Sequence, residues 1–370
     1  MDKNFSLDII KQFRDTVNEK GFVVFKYANV DGKCLWNCVC SAMDWITVAM
    51  EYLVNVKAGK IEFKHSMEIY AYISAIDNVW EAVRQLHRVF INEKTTPFSG
   101  ENDIFKEKFI KSKDDNTYFK EIRAVFGAHP VNLSGEQTGE HYYASWPTNE
   151  CIGKGDYSVL LYNSKYEKCS CILFDIFFSE LDRFLLKRYE YLKVIEKKII
   201  EERNAYFEKM KRIVIERSDQ IDDQLDLLKK ASKERLDSTF INSLINELKI
   251  IYTTRISHKS NKEMVDDYRK DLLPIVNEIY LLLQNMDFDT DLNCNILFES
   301  GDVISSGVSY YVGKLSDILW REQDYPNNDI FVLSGIRRIF EKRFLFSYES
   351  IEELYILVHA SIHQEYICKA

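Results

Sequence analysis

A chain of 370 residues with 46% hydrophobic and 29% charged residues can bury two or three compact cores, and its five prolines and thirteen glycines leave little room for long disordered linkers. A formal net charge of −9 argues against indiscriminate coating of a polyanion, although a local basic groove remains compatible with it. The eight cysteines show no repeated CxxC spacing, no cofactor motif is recognisable, and neither a leader-like start nor a membrane-length apolar run is present, so the expectation is a cytoplasmic protein without metal, cofactor or membrane contact.

The N-terminal segment reads as helices. Ser6 suits an N-cap before Ile10, Phe13 and Val17 at helical spacing, and Gly21 stops that element. The apolar stretch Phe22 to Tyr27 leads through an Asp31-Gly32 turn into a long helix with the seam Leu35, Val39, Ala42, Ile46, Ala49, Leu53 and Val56. A second seam of equal length, Ile69, Ile73, Ile76, Trp80, Val83, His87 and Phe90, predicts an antiparallel helical hairpin. After Pro97 a polar stretch breaks the run, and a fourth helix covers Tyr118 to Phe126, ended by Gly127 and Pro130.

The middle of the chain changes character. Tyr157 to Tyr162 and Cys169 to Ile176 read as a β-hairpin that His141 to Trp146 can extend. From Ser179 a very long helix is expected, with Leu185, Leu192, Ile199, Tyr206 and Ile213 at seven-residue intervals suggesting a coiled-coil arm. Its basic residues, Arg188 and Arg203 among them, read as a solvated face whose charge is offset by Glu190, Glu196, Glu201 and Glu202. Helices continue from Asp219 to Met286, with Pro274 as a helix start or kink, and a last group runs from Gly307 to Lys369. The expected organisation is mainly α: a helical bundle over 1–135, a small β insertion over 136–177, and a helical region over 178–370.

One segment concentrates chemistry. In Tyr118-Phe119-Lys120-Glu121-Ile122-Arg123-Ala124-Val125-Phe126-Gly127-Ala128-His129-Pro130, Gly127 and Pro130 release His129 from the helix, while Ile122 and Phe126 anchor one face and turn Arg123 to its flank. Cleaving RNA through its own 2′-hydroxyl needs a group of near-neutral pKa to move a proton and a fixed cation to stabilise charge on the phosphoryl oxygens; His129 and Arg123 supply these without a metal. One histidine is poorly suited to act as both base and acid in a turnover, which favours a two-fold site. The plainer reading makes His129 a helix cap and Arg123 a surface partner of Glu121 or Asp115.

An N-terminal helical bundle whose last helix carries Arg123, five intervening residues and His129 resembles the HEPN family of toxin and antiphage ribonucleases over about residues 1 to 150. The resemblance implies a four-helix bundle, metal-independent RNA cleavage, a homodimer in which both subunits contribute Arg123 and His129, and a toxin or antiphage setting; a nuclease of that kind needs restraint, which leaves room for a neutralising or activating partner protein. Many family members carry a polar residue, often Asn, directly after the arginine, where this chain has Ala124.

Further RNA contacts are expected at Arg84 and His87, although the position of His87 on an apolar seam also suits a core histidine. Arg337, Arg338 and Arg343, interleaved with Ile339 and Phe340, form a second basic stripe that a solvated amphipathic face explains equally well. His359 and His363, four apart, lack a third ligand in any recognisable motif and read as structural. The expected function is an endoribonuclease with His129 as general acid/base and Arg123 as phosphate stabiliser; the alternative is a catalytically silent helical scaffold that dimerises or docks a partner.

Overall fold

The computed structural model describes residues 5–57, 66–108, 113–128, 133–134, 141–146, 153–165, 171–290, 292, 294, 296–297, 306–321, 326–346 and 350–369. The protein is mainly helical with a small antiparallel sheet, and it divides into two compact units, Met1–Asn204 and Ala205–Ala370. Among the described residues no helix is long and apolar enough to cross a membrane.

The first unit begins with α1 (Asp8–Asn18) and α2 (Phe22–Tyr27), so the apolar stretch after Gly21 is itself a helix. Gly21, at φ 68°, supplies the left-handed residue at which the chain turns between them. The long helices α3 (Leu35–Lys57) and α4 (Ser66–Phe90) pack along the two expected seams. The Tyr52 hydroxyl reaches the Glu68 carbonyl near one end and Arg88 approaches the Cys38 sulfur near the other, which makes the pair antiparallel.

Helix α5 (Asp115–Arg123) is capped by the Asp114 carboxylate, which accepts the Thr117 N–H at 2.8 Å. The helix does not continue regularly to Phe126: a wider π turn occupies Ala124–Ala128. The chain then forms β1 (Leu133–Ser134), β2 (His141–Ser145), β3 (Tyr157–Asn163) and β4 (Cys171–Ile176), a four-stranded antiparallel meander in which Tyr142 pairs with Asn163 and Val159 with Phe174. Phe174 touches both Tyr118 and Phe126, so the sheet braces α5 and the turn that follows it.

Instead of one very long arm, the chain makes α6 (Phe178–Glu190) and α7 (Leu192–Arg212), with a break at Tyr191. Neither does a separate region begin at 178, because α6 packs against α4 and belongs to the first unit. Leu181, Phe184, Leu185 and Tyr189 are buried, with the Phe184 ring stacked on Phe119 at 4.3 Å. Of the seam read as a coiled coil, Leu185, Leu192 and Ile199 are buried within the chain, whereas Tyr206 is half-buried and Ile213 is exposed. Arg188 is fully buried instead of solvated, and Arg203 is buried beside Glu19 at 2.5 Å.

The second unit contains α8 (Ile221–Glu234), α9 (Thr239–Thr253), α10 (Lys259–Asn285), α11 (Ser306–Leu319), α12 (Pro326–Phe340) and α13 (Ile351–Lys369). Pro274 neither starts nor ends a helix, since α10 runs through it. Pro274 and Lys270, whose carbonyl loses its usual donor, are both exposed, so water can complete that carbonyl. Every residue of α13 from Glu353 to His363 is buried, the polar Glu353, His359, Ser361 and His363 among them.

Candidate functional site

Arg123 is the last residue of α5 and stands against α4. Its Nε pairs with Asp77 Oδ2 at 2.9 Å, while the side chain as a whole remains 47% exposed. Among the described residues no second carboxylate forms an ion pair with Arg123. Neither partner expected for a plain surface pair is used: Glu121 pairs with Lys113, and Asp115 is withdrawn into the protein beside Lys108 at 2.7 Å.

Asp77 interrupts the apolar succession of α4, one residue after Ile76, and is nearly buried. Burial holds its carboxyl above the ordinary carboxylate range; Arg123, Lys120 and Arg84 oppose that rise, and Glu81 adds to it. Arg84 lies on the same side of α4 and donates to Glu81 at 2.6 Å. The α4 and α5 faces therefore bring Arg84, Lys120 and Arg123 around Asp77 and Glu81, three cations against two carboxylates. Asp77 is the member of this group that sequence reasoning missed, and an acidic residue inside a buried seam was its signal.

His87 does not join this face. It is 4% exposed, with Nδ1 at 2.9 Å from the Tyr191 hydroxyl and Nε2 at 2.8 Å from the Thr95 hydroxyl. Burial lowers its pKa, so it is a neutral, satisfied core histidine and not an RNA contact. His129, the expected acid/base, lies outside the described residues. Ala124, the departure from the family pattern, is half-buried at the start of the π turn.

The second basic stripe lies in the second unit. Arg337 and Arg338 are exposed on α12, whereas Arg343 pairs with Glu365 at 2.8 Å and covers the Phe340 ring at 4.8 Å. Arg343 is thus a packing residue as much as a surface charge. Among the described residues no group of three or more His, Cys, Asp or Glu side chains is arranged to hold a metal ion. His363 pairs with Asp271 at 2.9 Å, and His359 is buried one turn earlier. Comparison with protein-family models, with curated proteins and with solved structures returns no significant match.

Proposed function

We propose that the first unit is a HEPN-like bundle and that the chain is a cytoplasmic, metal-independent endoribonuclease of toxin or antiphage type, acting as a homodimer. Arg123 carries this reading. Its guanidinium is paired with a nearly buried carboxylate while the side chain stays 47% exposed, so a planar fork anchored from below can face a phosphate. Lys120 and Arg84 raise the local positive potential around that fork. The π turn carries the chain from Arg123 toward His129, and π turns are frequent at functional sites. In this reading His129 moves the proton at the 2′-hydroxyl or the leaving oxygen, and Arg123 stabilises charge on the phosphoryl group. A partner copy supplies the second His129.

The alternative, a non-catalytic docking bundle, draws on the same ion pair, because Asp77 already offsets the charge of Arg123. Incubation of the full chain with total RNA in EDTA, beside His129→Ala and Arg123→Ala, decides between them. Cleavage by the wild type that falls at least a hundredfold in both variants is expected. Equal cleavage by all three proteins, or none by the wild type over a full range of salt and pH, overturns the nuclease reading.

A further inference from the structure

In the second unit, a cleft of about 350 Å³ opens between α9, α11 and α13, within the size range of small-molecule sites. Buried polar groups with unused hydrogen-bonding capacity meet there. Glu247 is 6% exposed and accepts the Tyr355 hydroxyl at 2.5 Å through one oxygen; among the described residues no hydrogen bond reaches its other oxygen. His359, 7% exposed, lines the same cleft with its ring 4.3 Å from that of Tyr355, and its buried Nε2 has no hydrogen-bond partner among the described residues. Native interiors rarely leave a buried ring nitrogen such as His359 Nε2 unpaired without a ligand, ion or water to complete it.

The chemistry of the lining narrows the occupant. Among the described lining residues there is no lysine or arginine, so a carboxylate or phosphate ligand would meet Glu247 with none of them to offset it. Burial pushes the Glu247 carboxyl above its ordinary range and lowers His359 to about 4, so the imidazole is neutral near pH 7 and offers one donor and one acceptor. A ligand bearing adjacent N–H donors, especially a cationic one, would supply the counter-charge that Glu247 lacks. Trp320, 47% exposed at the rim, presents an aromatic surface to a flat molecule.

We propose that this cleft binds a small planar nitrogen heterocycle of the cyclic guanidine or amidine class, its paired N–H groups on Glu247, a ring nitrogen at His359 and its face against Trp320. The site lies wholly in the second unit and does not rest on the nuclease reading.

Calorimetric titration of the full chain with 2-aminobenzimidazole, with benzoate as an anion of similar shape, tests this. One saturable site for 2-aminobenzimidazole and none for benzoate are expected, with affinity at least tenfold weaker in Glu247→Gln. A second variant guards against misfolding. Gly313 lines the cleft from α11, and a Cβ there would meet nothing within 4 Å, so Gly313→Leu fills the cleft without a backbone clash and improves helix propensity. Loss of binding in Gly313→Leu with unchanged circular dichroism supports the proposal. Absence of saturable binding to the wild type, equal affinity for benzoate, or wild-type binding by either variant overturns it.

Discussion

Replacing Arg188 by methionine and, separately, by alanine distinguishes what its charge contributes from what its volume contributes. The side chain is fully buried; Nη2 donates to Asn116 Oδ1 at 2.7 Å, while Nε and Nη1 have no hydrogen-bond partner. Burial depresses the guanidinium to about 10 against the opposing pull of Asp115 and Glu101, which at about 1.4 kcal/mol per tenfold change in protonation costs about 3 kcal/mol at neutral pH. Against this stand one charge-assisted hydrogen bond, worth about 1.5–3 kcal/mol, and stacking on Phe184 at 3.6 Å and Phe98 at 4.9 Å, worth about 1–2 kcal/mol together. The terms nearly cancel. Arg188→Met should therefore lie within about 1 kcal/mol of the wild type, whereas Arg188→Ala, which also leaves a cavity among Trp80, Phe98 and Phe184, should lose about 3 kcal/mol or more. Trp36, Trp45, Trp80 and Trp146 all lie in the first unit, so urea unfolding followed by intrinsic fluorescence reports chiefly on it. A methionine variant as unstable as the alanine variant would refute the cancellation, and no loss in either would refute the placement of α6 in the core.

Other outcomes follow from the same structure. Asp77→Asn is expected to lower RNA cleavage at least tenfold by loosening Arg123, while stability changes by less than about 1 kcal/mol because the pair is half exposed; paired cleavage and melting measurements check both. Asp115→Ala removes a fully buried carboxylate that accepts the N–H groups of Asp103 and Ile104 at 2.9 and 3.0 Å and pairs with Lys108, so a loss of about 3–5 kcal/mol is expected in urea titrations. His359 is held neutral to about 4 by burial, whereas its unfolded form takes up a proton near 6.5. In that window the unfolded state binds more protons, so stability falls as pH drops, by about 2 kcal/mol between pH 7 and 5. His359→Phe should remove that part of the acid sensitivity of the second unit in thermal melts; an unchanged pH profile would contradict it.

The legibility of the fold varied with the range of the interactions. The α3 and α4 seams, the strands around Val159 and Phe174 and the helical character of both ends were readable because side-chain periodicity is local. The seven-residue spacing from Leu185 was real, but spacing alone does not say whether the facing apolar surface comes from another chain or, as for α6 here, from α4. Arg123 was readable as a candidate; its partner was not, because Asp77 lies on another helix far away in sequence. His87 carried both readings in the sequence until Tyr191 and Thr95 closed on its two nitrogens.

By itself the sequence determined the mainly helical class, the two long apolar seams and the short sheet, since each follows from the repeat of side chains along a helix or strand. Only the tertiary structure decided which charged groups leave water: Arg188 and Asp115 go into the core, Asp77 turns toward Arg123, and Glu247 meets His359 at a cleft. Desolvation depends on what surrounds a group in space, and those neighbours come from distant segments that periodicity does not identify.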